Sequence, residues 1–136
     1  MHFIYLLTPF AAWLVTGVLK FLINSVRSRE LAFRHIGYGG MPSNHSAIIS
    51  SAVTQVGIQE GIDSPAFGIG IAIAFIVVLD ATSLRRQLGR HAVLINQLNE
   101  KSETRVRERL GHSAPEVLVG LLVGALVAAG LDWVLG

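Results

Sequence analysis

The feature that most constrains this chain is a series of apolar stretches separated by short polar links. A helix needs roughly 20 mostly apolar residues to cross a bilayer, and the first stretch, residues 3–24, meets that length. Strongly apolar stretches also cover 66–79 and 117–135, and a weaker one, rich in Ser, Ala, Val and Ile, covers 44–59. We therefore predict about four transmembrane helices.

The composition agrees with a membrane protein and excludes two other classes. Only 15% of the residues are charged, against about 25% in an ordinary soluble domain. A chain with so little charge and 51% hydrophobic residues is neither a soluble globule nor disordered. We predict an all-α, small integral membrane helical bundle formed by one domain, residues 1–136, with a further cytoplasmic or interfacial helix over 84–98.

The basic residues predict the orientation of the bundle. All eleven Lys and Arg fall in two blocks, 20–34 and 85–109, whereas the link over 60–65 has none. Cytoplasmic loops carry the Lys and Arg excess, so both blocks are predicted inside and both termini outside. The expected location is a plasma membrane of bacterial type, with the lipid bilayer rather than nucleic acid as the partner of the basic residues.

Alternating helices would bring five ionisable residues to the cytoplasmic end of the bundle. They are Lys20, His45, Asp80, His112 and Glu116. Ionisable groups at membrane depth are costly, and their presence favours a functional site. This convergence is the strongest functional indication in the sequence.

The segment 39–46 is typical of an anion-binding turn that opens a helix. Two glycines let the backbone approach a ligand, and Ser43 is a good N-cap residue. The free N–H groups of Ser43, Asn44 and His45 would then lie at the positive end of the helix dipole. The alternative is a capped helix with an interfacial histidine.

A second histidine precedes the last apolar stretch. His112 and Glu116 are four residues apart, so the carboxylate could hold one imidazole nitrogen and leave the other free to attack. Ser113 and Glu116 also form a capping box, which explains both without chemistry. His91 is a weaker candidate for the nucleophile, because the residue four positions later is Ile95.

Four cations are candidates for binding a phosphate: Lys20, Arg27, Arg85 and Arg86. Arginine offers a planar fork and lysine a point charge, but both also serve as membrane anchors. Asp80 could orient one of the arginines or cap the helix that follows. The glycine turn, the start of the helix and the cations favour an anionic ligand, so we predict no metal site and no cofactor.

The chain resembles the type 2 phosphatidic acid phosphatase superfamily, which includes the vanadium haloperoxidases, and most closely its divergent membrane branch. The resemblance covers nearly the whole chain. It rests on Gly40-Met41-Pro42-Ser43-Asn44-His45-Ser46, on Asp80-Ala81 with Arg85-Arg86, and on Leu110-Gly111-His112 with Pro115-Glu116-Val117 and Gly120.

The three signatures of the superfamily match unevenly. Lys20 and Arg27 keep the spacing of the first, with Ser28 in place of its proline. The second, Pro-Ser-Gly-His, is matched at positions 42, 43 and 45 with Asn44 in place of glycine.

The third signature is matched only in its second half. His112 and Glu116 fit, with glutamate for aspartate, but Val106 occupies the position of the signature arginine. Four arginines are alternatives for that role: Arg85, Arg86, Arg105 and Arg107.

The resemblance implies metal-independent hydrolysis of a phosphomonoester through a phosphohistidine. It implies His112 as nucleophile oriented by Glu116, His45 as the acid that protonates the leaving oxygen, and cations with the turn at Ser43 and Asn44 around the phosphate. The expected substrate is a membrane lipid phosphate of the inner leaflet, phosphatidylglycerophosphate first and phosphatidic acid second.

The alternative is a catalytically inactive membrane scaffold or transporter component that keeps the fold. A small-xxx-small spacing at Gly120 and Gly124 lets helices approach closely, and a homodimer is possible in either case.

Overall fold

The computed structural model describes residues 3–28, 40–99, 104–108 and 110–135, with the side chains of the first range described as far as Val26. Its helices are α1 (Ile4–Ser28), α2 (Asn44–Glu60), α3 (Pro65–Leu79), α4 (Arg85–Leu98) and α5 (Ala114–Leu135), with a π-helical turn, Asp80–Leu84, between α3 and α4. The described chain contains no strand, and the predicted all-α membrane bundle is confirmed.

Three stretches of the described chain are long and apolar enough to cross a membrane: Ile4–Val26, Pro65–Leu98 and Ala114–Leu135. The other predicted span, α2, has only 17 residues and is the least apolar of the four. It is nevertheless the central helix, because it packs against α1, α3 and α5. Its buried polar residues, Ser46, Ser51 and Gln55, are therefore surrounded by protein rather than by lipid.

The side chains inside the bundle are mostly small or polar, and those on its outer surface are mostly large and apolar. The most deeply buried side chains include Thr8, Thr16, Ser46, Ser51 and Gln55. Large apolar side chains point outward on every spanning helix, and on α5 they form a stripe of Leu118, Leu122 and Leu126. Helices associate in lipid through small residues and hydroxyls, so this distribution is that of a membrane protein.

The closest helix contact joins α2 and α5. A Cβ on Gly124 would overlap the Ala47 carbonyl oxygen, and one on Gly120 would lie 2.5 Å from the Ser43 carbonyl oxygen. The Ser50 hydroxyl donates to the Leu121 carbonyl at 2.7 Å. The predicted small-residue face is thus covered by α2 within the chain, and it does not supply a surface for a second copy.

A buried polar network fixes the other end of α2. The Gln55 amide donates to the Asp132 carboxylate at 2.9 Å, and the Thr8 hydroxyl lies 3.3 Å from the Gln55 carbonyl oxygen. Gln59 also donates to Asp132. The network ties α1, α2 and α5 together and gives the buried amide its partners, as a low-dielectric interior requires.

The third apolar span ends at Leu79 as the sequence predicts, but its helix does not stop at Asp80. The helix continues from Pro65 to Leu98 through the π-helical turn. No glycine or proline occurs between positions 79 and 88, so the helix is not interrupted there. A helix of 34 residues is about 50 Å long, which exceeds the roughly 30 Å hydrocarbon core, so α4 extends beyond the bilayer.

The charged stretch between α4 and the last span, for which the sequence predicts loose helix, is not helical in its described part. Residues 104–108 and 110–113 are not helical. The Asn96 side chain receives the Val106 N–H and donates to the Val106 carbonyl, both at 2.8 Å. The Asn96 side chain of α4 thereby forms hydrogen bonds with both the N–H and the carbonyl of Val106 and holds this segment against the helix.

Gly124→Ala is expected to destabilise the bundle, because its methyl group has no room beside Ala47. Overpacking costs about 1–3 kcal/mol, which exceeds the gain of up to ~1 kcal/mol in helix propensity. Thermal unfolding in detergent micelles measures the effect. Gly130→Ala is the matched control on the same helix, since nothing lies within 4 Å of its added carbon. Equal stability of the two variants would contradict this packing.

Candidate active site

The end of α1, the starts of α2 and α5 and the π-helical turn meet at one end of the bundle. The charges of Arg85, Asp80, Lys20 and a protonated His112 all act on the His45 ring. The structure thus brings together residues that are far apart in sequence and that the charge pattern predicts on one face of the membrane.

The first turns of α2 and α5 are joined by the backbone. The Ser43 N–H donates to the Glu116 carbonyl at 3.0 Å. Ser43 caps α2, with its hydroxyl oxygen accepting the Ser46 N–H at 3.4 Å and the Ser46 hydroxyl at 3.0 Å. Two parallel helices therefore begin side by side, and the positive ends of both dipoles lie at the same place.

His112 is buried and held at one ring nitrogen. Its Nδ1 lies 3.3 Å from Glu116 Oε2, and the same oxygen accepts the Ser113 N–H at 2.8 Å. A carboxylate can only accept, so this contact is a hydrogen bond when the proton sits on Nδ1. The neutral ring then carries its lone pair on Nε2, which is the form that a nucleophile needs.

Glu116 serves both roles that its spacing allows. It completes half of the predicted capping box through the Ser113 N–H, and it orients the His112 ring. One carboxylate oxygen makes both contacts, so the start of α5 and the orientation of the imidazole depend on the same group.

His45 is exposed on the first turn of α2 and lies beside His112. The two ring centroids are 6.2 Å apart, and the ring planes are inclined by 57°. The rings are thus near each other without stacking. An exposed imidazole exchanges protons with water, whereas the buried ring opposite it is shielded.

Arg85 is the arginine that the structure brings to the histidines. Its Nε donates to Asp80 Oδ2 at 2.8 Å, and its charge acts on both His45 and His112. Asp80 therefore orients an arginine rather than capping a separate helix. Arg86 is rotated by about 100° around the helix axis and lines an open polar groove with Arg90 and their neighbours.

Three further predicted phosphate contacts have different positions. Lys20 is half-buried, and its charge acts on Glu116 and His112. The Oδ1 atom of Asn44 is buried and makes no hydrogen bond with the described part of the chain. The backbone of Arg27 belongs to α1, but its side chain lies outside the described residues.

The remaining alternatives from the sequence lie on the surface. His91 is exposed on α4, and Arg105 and Arg107 are exposed in the segment that runs along α4. Arg85, rather than these residues, is the one whose charge acts on both rings of the histidine pair.

Burial lowers the pKa of His112 below its ordinary value, and the Lys20 cation lowers it further. The hydrogen bond to Glu116 works in the opposite direction without cancelling the effect. Since the lowered pKa favours the neutral ring near neutral pH, Nε2 is available as a base or nucleophile under those conditions.

Sequence reasoning missed the contact that holds the His112 backbone. The His112 N–H donates to the Ala81 carbonyl of the π-helical turn at 2.9 Å, and Gly111 packs against the same turn. A π-helical turn has no sequence signature of its own. The one available signal was Gly111 directly before a candidate histidine, since glycine permits close backbone approach.

Comparison with known proteins places the chain in a family. The model of the Divergent PAP2 family matches residues 1–127, so the chain belongs to that family. It is 33% identical over 147 residues to "Uncharacterized membrane protein YuiD" of Bacillus subtilis (strain 168), covering 94% of this chain and 93% of that protein. No solved structure matches.

Lys20→Met is expected to raise the pKa of His112, because it removes a positive charge that disfavours the imidazolium. The pKa is measured by NMR titration of ¹⁵N-histidine-labelled protein in micelles, with His112→Gln identifying the signal. Arg90→Met, which removes an exposed cation in the groove, is the matched control and leaves the midpoint unchanged. A midpoint that moves equally in both variants would contradict the assigned contact.

Proposed function

We propose that this member of the divergent PAP2 family is a lipid phosphate phosphatase. It hydrolyses a phosphomonoester at the cytoplasmic membrane face through a phosphohistidine intermediate, without a metal ion. The observation that carries the proposal is the buried His112, held at Nδ1 by Glu116 beside a second histidine and the Asp80–Arg85 pair.

In the first step Nε2 of His112 attacks phosphorus and the bond from phosphorus to the lipid oxygen breaks. The leaving oxygen takes a proton from the protonated, exposed ring of His45, which is left neutral for the second step. Glu116 keeps the proton of His112 on Nδ1 and stabilises the positive charge that develops on the ring. The products are the dephosphorylated lipid alcohol and phosphohistidine.

In the second step a water molecule attacks phosphorus, and His45 accepts its proton. The bond from phosphorus to Nε2 breaks, inorganic phosphate leaves, and the neutral His112 is restored. The ring centroids of His45 and His112 are 6.2 Å apart, and this proximity supports the division of roles because both rings can reach one phosphate group.

The negative oxygens of the phosphate are bound by groups that are already in place. Arg85 is oriented by Asp80, and Lys20 lies near Glu116 and His112. The N-terminus of α2 adds the backbone N–H of Asn44, whereas the Ser43 N–H already donates to the Glu116 carbonyl. Such preorganised groups stabilise developing charge without rearrangement during the reaction.

The bundle supports a lipid as the substrate. Its large side chains face outward along the spans, and the two histidines lie at one end of them. The positive-inside rule predicts that this end lies at the cytoplasmic face, where it would meet the inner leaflet. Phosphatidylglycerophosphate is our first choice of substrate, and phosphatidic acid is second.

The competing proposal is a membrane scaffold that keeps the fold without catalysis. The buried helix contact at Gly124 serves such a role as well as an enzyme. A scaffold would lose function through Gly124 and tolerate His112→Ala and His45→Ala, whereas the enzyme would do the reverse.

Phosphate release from phosphatidylglycerophosphate by detergent-purified protein tests the function. We expect release that persists in EDTA, disappears in His112→Ala and falls by about 10²–10⁴-fold in His45→Ala, since general acid catalysis contributes that much. Folded protein that releases phosphate from none of several lipid phosphates would contradict the enzyme and favour the scaffold.

Arg85→Gln is expected to lower kcat by roughly 10²–10³-fold, the usual loss when one group that stabilises the transition-state charge is removed. Arg86→Gln should cost far less, because Arg86 lies in the groove with Arg90. Steady-state rates with the same lipid compare the two variants. Equal losses, or a larger loss in Arg86→Gln, would contradict the assignment of Arg85 to the phosphate.

A further inference from the structure

The π-helical turn changes the hydrogen bonding of the long helix at one place. The Arg85 N–H donates to the carbonyl of Asp80, five residues earlier. In an α-helix the same N–H would donate to the carbonyl of Ala81, four residues earlier. In the π-helical turn the Ala81 carbonyl therefore does not accept the Arg85 N–H that it would accept in an α-helix.

The Ala81 carbonyl accepts the His112 N–H at 2.9 Å instead. Ala81 itself is buried, so this hydrogen bond is protected from water. It joins the middle of one long helix to the backbone of the residue that carries the nucleophilic ring. The side chain of His112 is fixed separately, through Nδ1 and Glu116.

Gly111 allows this backbone contact. Its φ is +92°, a region that other residues rarely adopt. A Cβ at this position would lie 3.1 Å from the Arg86 nitrogen and 3.3 Å from the Ala81 carbonyl oxygen. The chain therefore approaches the turn more closely than a residue with a side chain permits.

The same turn aligns Arg85 with Asp80. In an α-helix a residue five positions on lies about 140° around the axis, too far for a short side-chain contact. The backbone hydrogen bond between Arg85 and Asp80 places Arg85 above Asp80 on the helix. Arg85 Nε then lies 2.8 Å from Asp80 Oδ2.

We propose that the π-helical turn Asp80–Leu84 is a positioning element of the active site, which holds the His112 backbone through the Ala81 carbonyl and presents Arg85 on the same side. This inference rests on the proposed phosphatase function. The turn itself does not touch the substrate. It acts through His112 and Arg85, and π-helical turns within α-helices are frequent at functional sites.

Deletion of Ser83 separates these two effects. One residue fewer restores an α-helical register, in which the Ala81 carbonyl is taken by the Arg86 N–H. Arg85 then stands four residues after Asp80, about 40° around the axis, so the ion pair is kept. The deletion therefore removes the acceptor of the His112 N–H while it leaves the arginine in place.

We expect the deletion to lower kcat by about 10²-fold, the loss typical of a displacement of roughly 1 Å in a reacting group. Inhibition by inorganic phosphate should stay within about threefold, because Arg85 remains. Ser83→Ala, which keeps the register and removes only an exposed hydroxyl, is the matched control with normal kcat. A deletion variant with normal kcat, or one that loses phosphate binding in parallel, would overturn the proposal.

Gly111→Ala tests the contact between the His112 backbone and the π-helical turn from the side of His112. It replaces the deletion variant if that variant does not fold. It should lower kcat with unchanged phosphate inhibition, since the methyl group pushes the chain away from the turn. Normal kcat in this variant would overturn the proposal.

A readout without turnover separates failure of this inference from failure of the proposed function. The ¹⁵N signals of His112 report its surroundings, which include Lys20, Glu116, Arg85 and His45. Displacement of His112 should move its titration midpoint toward the ordinary value in the deletion variant and leave it unchanged in Ser83→Ala. If the wild-type protein hydrolyses no lipid phosphate, the phosphatase proposal fails, whereas an unmoved midpoint overturns the positioning role.

Discussion

The contact between α2 and α5 is the constraint on which the rest of this structure depends. Gly124 lets the backbones touch at Ala47, and the Ser43 N–H binds the Glu116 carbonyl one level closer to the helix starts. Without these two contacts the helix starts would separate, and His45 would move away from His112. A packing requirement of the membrane interior thereby sets the distance between two ionisable side chains.

The second constraint is the cost of placing charge near lipid. Two pairs at this end of the bundle reduce the cost: Glu116 with His112, and Asp80 with Arg85. Glu116 contacts only Nδ1 of His112, and Asp80 contacts Nε of Arg85. The Nε2 atom of the ring and the terminal nitrogens of the guanidinium therefore remain available to a ligand. The interactions that make the charges tolerable are therefore the ones that orient them for an anionic ligand.

Much of the architecture follows from the sequence, and the exceptions have physical causes. The spans follow from the lengths of the apolar stretches, and the helix caps follow from N-cap chemistry. The convergence of Lys20, His45 and His112 follows from the alternating direction of the helices. The helix through Asp80 does not follow from the sequence, because Asp, Thr and Ser lower helix propensity locally while backbone hydrogen bonding continues. The choice among the arginines depends on helix rotation at the π-helical turn, and a single residue of register separates Arg85 from Arg86.

Trapping of the phosphorylated enzyme tests whether His112 carries the phosphoryl group during hydrolysis. Protein mixed with lipid labelled in its phosphate is quenched in alkali, where phosphohistidine is stable, and the labelled peptide is then identified. We expect label on His112, with none in His112→Ala and loss of the label on brief acid treatment. Label on another residue, such as His45 or His91, or hydrolysis that proceeds without any labelled protein, would contradict it.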